Sequence, residues 1–191
     1  YVEDVARAAA AIRPAPVLVG HSMGGLIVSR YIQKHDAPGA VLLAAVPPRG
    51  ALGITARFVA RHPLAFARVI ARLRLEPVVD SPERARELLA SDRLSAEEWA
   101  PYQARLRDES FTAYLQMLAA LVSRPAPVRT PTLVLGAGGD RMVTAGEVRA
   151  TAEAFGAEME IIPALSHDVM LDPEWRIAAE RILAWIGALG S

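Results

Sequence analysis

The chain has 191 residues, of which 52% are apolar and 22% are charged, so it is long enough for one folded domain, with or without an insertion. Its 21 basic and 21 acidic side chains cancel, which excludes an electrostatic case for nucleic acid or an acidic membrane surface. The absence of cysteine excludes disulfides, thiolate metal ligands and a cysteine nucleophile.

The start of the chain, YVEDVARAAAAIR, carries acidic residues where a signal peptide is basic. No apolar run approaches the roughly 18 residues that a membrane span needs. We therefore expect a cytoplasmic protein without a membrane span. Tyr1 already stands inside a helical pattern and no methionine precedes it, which fits a piece of something longer.

Short apolar segments bounded by proline or glycine alternate with helical patterns at both ends of the chain. Strands are predicted over 15–20, 40–46, 132–136 and 159–163. Helices are predicted over 2–12, 23–35, 145–155 and 173–189. Thr144 with Glu147 fits a capping box, and Gly156 fits a C-terminal cap. This alternation predicts an α/β fold with a mostly parallel sheet.

Residues 47–130 break the alternation, because they show helical patterns only and are bounded by proline-rich stretches. Ser81 and Ser95 begin two of these helices. We interpret 47–130 as a helical cap over the strand ends, and 1–46 with 131–191 as the core. Six apolar cap residues either line a substrate pocket or pack the cap helices together: Phe58, Leu64, Phe66, Val69, Ile70 and Leu73.

The stretch VLVGHSMGGLIV, residues 17–28, contains a G-x-S-x-G pattern directly after a strand and before a helix. A sharp turn of this kind strains the backbone of Ser22 and lifts its hydroxyl clear of the sheet. Gly20 and Gly24 are expected to give the strand and helix room to approach. The backbone N–H of Met23, at the positive end of the helix, can face a developing oxyanion.

A serine hydroxyl needs a base, and the chain has four histidines. His167 follows the last strand, at the same sheet edge as Ser22, where open α/β sheets bind ligands. His21 is expected to point away from the tip of the turn. His35 suits a helix C-terminus and His62 lies in the cap, so both are expected to be structural or solvated.

The base needs a carboxylate to hold its tautomer. Asp140 follows the third strand at the same edge and is the candidate acid. Asp168 adjoins His167 too closely to reach its ring easily, and Asp172 is expected to cap a final helix opened by Pro173. Asp36 and Asp80 are weaker candidates.

Ser22, Asp140 and His167 occur in the order nucleophile, acid, base, which is the order of the α/β-hydrolase fold. The sequence resembles the lid-bearing bacterial esterase and lysophospholipase-like branch of that superfamily. The resemblance is carried by VLVGHSMGGLIV, VLLAAVPPRG, TPTLVLGAGGDRMV and SHDVMLDPEWRIAAERILAWI. It implies Ser22 as nucleophile, Asp140 as acid, His167 as base and the Met23 amide as one oxyanion donor.

One departure from the resemblance concerns the N-terminal part of the sheet. Family members carry further strands ahead of the first helix, and a loop that supplies a second oxyanion donor. Nothing in this sequence corresponds to them. We expect an N-terminal segment, a separate fragment or another copy to complete the sheet, because an open edge strand invites pairing.

The expected function is cleavage of an apolar carboxylic ester through an acyl-enzyme, with no metal or organic cofactor. Acyltransferase or hydroxynitrile-lyase chemistry can use the same three residues, although the lyases lean on a cap lysine and 47–130 contains none. The non-enzymatic alternatives are a small-ligand binder and a catalytically inactive fragment.

Overall fold

The computed structural model describes residues 1–120 and 125–190, in which four strands form one parallel sheet. The strands lie in chain order across the sheet, so β1 and β4 are its edges. Their bounds are β1 Leu18–His21, β2 Ala40–Leu43, β3 Thr132–Ala137 and β4 Glu158–Ile162. The predicted α/β class and parallel sheet are confirmed, with strand ends shifted by a few residues.

Helices connect the strands, and one further helix precedes β1 and another follows β4. Those that belong with the sheet are α1 Val2–Ala11, α2 Met23–Ile32, α9 Ala145–Phe155 and α10 Trp175–Leu189. Those between β2 and β3 are α3 Leu52–Arg61, α4 Pro63–Arg72, α5 Glu76–Val79, α6 Pro82–Leu89, α7 Ala96–Gln103 and α8 Phe111–Ala119. The capping box at Thr144 and Glu147 is present, and Gly156 ends α9 in the left-handed conformation. None of the helices in the described ranges is both long and apolar enough to cross a bilayer.

Apolar side chains on the two faces of the sheet build two separate cores, because successive strand residues point to opposite faces. Leu42 and Val134 pack with α2 and α9 on one face. Leu43 and Leu135 pack with Trp185 of α10 on the other face. Both central strands are therefore fully buried, which explains their continuous apolar runs.

The helical insertion, residues 47–120 and 125–130, shows helices and no strands among its described residues. Residues 121–124 of the predicted cap lie outside the described residues. Arginines fasten the insertion to the loops after β3: Arg57 donates to the Met142 carbonyl at 2.6 Å, and Arg141 donates to the Glu87 carbonyl at 3.2 Å. The insertion is thus held against the sheet edge where the strands end.

The turn from β1 into α2 holds Ser22 at φ 52° and ψ −119°, a conformation that residues other than glycine rarely adopt. The Ser22 N–H donates to the Leu43 carbonyl at 3.0 Å, so the turn is bonded to β2. A Cβ on Gly20 would stand 2.4 Å from the Gly24 carbonyl oxygen. Close approach of strand and helix therefore requires Gly20.

The expected crowding at Gly24 is not found, since a Cβ there would meet nothing within 4 Å. The glycine of this turn that is crowded beside Gly20 is Gly25, where a Cβ would stand 2.3 Å from the Cβ of Ala45. The contact depends on the path of the chain after β2, which a local motif does not reveal. Gly24 keeps its place in the G-x-S-x-G pattern without this steric reason.

Replacing Gly25 with alanine should destabilise the fold, because the new methyl group must displace Ala45 beneath the turn. We expect a loss on the order of 1–3 kcal/mol, as for overpacking elsewhere, seen as a lower melting temperature. Gly24→Ala is the matched control one residue away and should melt within a few degrees of the unchanged protein. Equal melting temperatures for the two variants would contradict this packing.

Candidate active site

Three polar side chains from distant parts of the chain meet at the C-terminal edge of the sheet. Ser22 follows β1, Asp140 follows β3 and His167 follows β4. The strands are parallel, so their C-terminal ends lie at one edge. The parallel order therefore brings together residues that are 145 positions apart in sequence.

His167 and Asp140 form a buried hydrogen-bonded pair. The His167 Nδ1 lies 2.8 Å from the Asp140 Oδ2, and the two side chains are 3% and 1% exposed. The other carboxylate oxygen, Oδ1, accepts from the N–H groups of Met142 at 2.7 Å and Val143 at 2.8 Å. Backbone donors therefore fix the Asp140 carboxylate, and that carboxylate orients the His167 ring.

The second ring nitrogen of His167 faces the serine: Nε2 lies 3.0 Å from the Ser22 Oγ. An ionised carboxylate only accepts hydrogen bonds, so the proton of a neutral His167 belongs on Nδ1. Nε2 then carries a lone pair and accepts from the Ser22 hydroxyl. This is the arrangement in which an imidazole removes a proton from a serine.

A backbone donor lies beside the same serine. Met23 is the first residue of α2, where an N–H has no acceptor within the helix. Met23 lines the same cavity as Ser22 and His167. The helix end carries partial positive charge, which suits an oxygen that gains negative charge during a reaction.

His21 lies inside the site, contrary to the expectation that it points away. Its Nε2 is 2.8 Å from the His167 carbonyl oxygen, and the two rings are 5.0 Å apart. Burial, and next the nearby His167, lower the pKa of His21 to about 4. A neutral His21 can donate from Nε2 to that carbonyl, so it supports the loop that presents His167.

Asp172 holds the same loop from the other side. It is 2% exposed, and its Oδ2 accepts from the Ser166 N–H at 3.1 Å and the Ser166 Oγ at 3.0 Å. The expectation that Asp172 caps a helix opened by Pro173 is wrong, because α10 begins at Trp175. The sequence signal for this contact was the pair of polar residues Ser166 and Asp172 at the two ends of SHDVMLD. Interpreting Asp172 as a helix cap left that pair out of account.

The weaker candidates have other surroundings. His35 stacks on the Tyr31 ring at 4.7 Å beyond the end of α2. His62 lies between α3 and α4, with Nε2 3.5 Å from a Glu87 oxygen. Asp80 is ion-paired with arginines within the insertion.

A cavity of about 580 Å³ opens onto Ser22 between the sheet edge and the helical insertion. Of the six apolar residues proposed from the sequence, Phe58, Phe66 and Val69 line it. The other three face outward and are 82%, 48% and 61% exposed: Leu64, Ile70 and Leu73. Two hydroxyl groups in the lining bond to each other at 3.1 Å, those of Thr55 and Tyr114.

Within the described residues, one group has the residue types of a metal site: His21, His167 and Asp168, with one possible ligand atom each within 4.8 Å. Both histidines already have partners. His167 bonds to Asp140 and Ser22, and His21 bonds to a carbonyl. The hydrogen-bonding pattern therefore accounts for both rings without a metal ion.

Comparison with known proteins adds a family and a set of similar folds. Residues 1–179 match the model of the alpha/beta hydrolase family. No curated protein sequence matches the chain.

Similar solved structures include BpoC of Mycobacterium tuberculosis H37Rv, described as a non-heme bromoperoxidase, at TM-score 0.71 and 22% identity. The monoacylglycerol lipase of Paleococcus ferrophilus has TM-score 0.65 and 18% identity, and a thermophilic esterase has 0.60 and 20%. The alignments cover 97%, 98% and 97% of this chain but 73%, 74% and 73% of those chains. At these identities the likeness establishes the fold.

Proposed function

The chain belongs to the alpha/beta hydrolase family, and from its site we propose that it is a serine hydrolase that cleaves carboxylic esters. Family membership and the esterase and lipase folds among its neighbours support a hydrolase. The finer proposal, ester cleavage through an acyl-enzyme, rests on the site.

One observation carries this proposal: the unbroken chain of hydrogen bonds from Asp140 through His167 to Ser22, at 2.8 and 3.0 Å. Each bond prepares the next, because the carboxylate orients the ring and the ring accepts the hydroxyl proton. A protein that only binds a ligand gains nothing from this arrangement. It is the geometry expected of an activated nucleophile.

In the first half of the reaction, the Ser22 Oγ attacks the ester carbonyl while its proton moves to the His167 Nε2. The Met23 N–H donates to the resulting oxyanion. The Asp140 carboxylate stabilises the imidazolium without taking a proton. His167 then protonates the oxygen of the departing alcohol as the carbon–oxygen bond breaks, which leaves the acyl group on Ser22.

In the second half, water takes the place of the alcohol. His167 removes a proton from the water as its oxygen attacks the acyl carbonyl, and the Met23 N–H again donates to the oxyanion. The proton returns to Ser22 as the ester bond to the enzyme breaks. The carboxylic acid leaves and the site regains its starting state, so the cycle consumes one ester and one water.

The cavity favours an apolar substrate portion. Side chains from several helices of the insertion, among them Phe58, Phe66 and Val69, form apolar walls near Ser22. Burying an acyl chain against such walls stabilises binding by about 0.8 kcal/mol per methylene. We expect an ester with a medium-length acyl chain to bind more tightly than an ester with an acetyl group.

A further strand is proposed to complete the sheet at β1, from a preceding segment, a separate fragment or another copy. Among the described strands, β1 pairs with β2 alone. Val19 is 52% exposed on this edge strand. Such an open edge next to the site is a template for pairing, and the added segment would be placed to supply a second oxyanion donor.

Substituting Ser22 with alanine should reduce hydrolysis of p-nitrophenyl butyrate at least about a thousandfold, because the nucleophile is lost. Ser29→Ala is the matched control, since Ser29 is a buried serine on the same helix whose hydroxyl donates to the Leu26 carbonyl. It should retain turnover within a few-fold. More than a tenth of the activity in Ser22→Ala would rule out the proposed role.

Hydrogen exchange tests the added strand. The N–H groups of Leu18 and Ser22 donate to carbonyls next to and in β2, so by alternation those of Val19 and His21 point to the open edge. We expect slow exchange at Val19 and His21 in the full protein, comparable with Leu18. Exchange as fast as in an exposed loop would show that nothing pairs with β1.

A further inference from the structure

Asp168 stands beside the reacting groups but takes no part in the steps above. It follows His167 directly and lines the cavity with Ser22 and Met23. One of its carboxylate oxygens lies within 4.8 Å of a ring nitrogen of His167 and of His21. Its backbone N–H donates to the Leu89 carbonyl at 2.9 Å, which holds the residue between the insertion and the sheet.

The Asp168 carboxylate is available to a ligand. Across residues 1–120 and 125–190 it accepts no hydrogen bond and forms no ion pair. Burial raises the pKa of Asp168, the His167 ring opposes that shift and the Asp140 carboxylate adds to it. The half-buried carboxylate lies on the wall of the cavity, where a ligand that supplies a donor can bind it in place of solvent.

The proton transfer from His167 to the departing alcohol indicates that the Asp168 carboxylate lies on the alcohol side of the bound ester. His167 must protonate the departing alcohol, so the alcohol oxygen lies at its Nε2 when the ester bond breaks. Asp168 is adjacent to that ring. A group carried by the alcohol, a few bonds beyond the ester oxygen, is therefore the part of the substrate that can reach Asp168.

We propose that Asp168 selects esters whose alcohol portion carries a further free hydroxyl group, such as monoesters of a diol or polyol. The hydroxyl donates to the carboxylate while the acyl chain occupies the apolar part of the cavity. This rests on the proposed ester hydrolysis and adds the class of alcohol that the site prefers.

A hydroxyl suits the cavity better than an ammonium group. Its lining contains five arginines and two acidic residues: Arg57, Arg61, Arg105, Arg107, Arg141, Glu109 and Asp168. Arg57 forms an ion pair with Glu147, and Arg141 forms one with Asp92. The excess positive charge of the lining repels a cationic alcohol. A neutral hydroxyl group is not repelled and can still donate to the Asp168 carboxylate.

The test compares two butyrate esters that differ by one group, 3-hydroxypropyl butyrate and n-butyl butyrate, with the full protein. We expect the unchanged protein to show the higher kcat/KM for the hydroxylated ester. In Asp168→Leu the ratio of the two kcat/KM values should fall about tenfold, as for loss of a hydrogen bond to a charged group. Asp168→Asn keeps an acceptor oxygen, so its ratio of kcat/KM values should lie between those of the unchanged protein and Asp168→Leu.

Glu109→Leu is the matched control, because Glu109 is an exposed acid in the same lining; it should leave the ratio unchanged. An unchanged ratio in Asp168→Leu, or an equal fall in Glu109→Leu, overturns the proposal. If Asp168→Leu does not fold, inhibition of p-nitrophenyl butyrate hydrolysis decides: 1,3-propanediol should inhibit the unchanged protein more strongly than 1-butanol, and the reverse order overturns it.

The two proposals fail in different ways. If the unchanged protein hydrolyses no ester, including p-nitrophenyl butyrate, the proposed function fails and the preference falls with it. If the unchanged protein hydrolyses the two butyrate esters with equal kcat/KM, ester hydrolysis stands and the role of Asp168 is refuted.

Discussion

The hydrogen bond between the His167 Nδ1 and the Asp140 Oδ2 is the interaction on which the site depends. It decides which ring nitrogen carries the proton, and thereby makes the other nitrogen an acceptor for Ser22. The pair is almost fully buried, so water competes little for either partner. Without this bond, His167 could adopt the other tautomer and donate to Ser22 instead of accepting from it.

Of the three residues that meet at the site, Ser22 is the one with a strained backbone. Ser22 has a positive φ, and the surrounding bonds and close packing hold it there: its N–H bonds to the end of β2, and its carbonyl accepts from Gly25 and Val46 at 3.0 Å each. The loop carrying His167 is held by His21, Asp172 and Leu89. Rigid support from several elements is what keeps catalytic groups within hydrogen-bonding distance.

Much of this was accessible from the sequence, for physical reasons. Parallel strands put their C-terminal ends at one edge, so residues after three strand patterns were expected to meet, and Ser22, Asp140 and His167 do. Helix caps such as Thr144 are local and equally readable. The features that were missed depend on distant contacts: Gly25 is crowded by Ala45 from beyond β2, and the outward turn of Leu64 is set by how α4 packs.

We propose that Ser22 carries the acyl group during turnover. The most direct measurement is to quench the reaction with p-nitrophenyl butyrate in acid during the first turnover and to map the modified peptide by mass spectrometry. We expect a butyryl group on the peptide that contains Ser22, and we expect this group to be lost on longer incubation with water. Steady release of p-nitrophenol with no butyrylated Ser22 at any time, or butyryl on another residue, would contradict it.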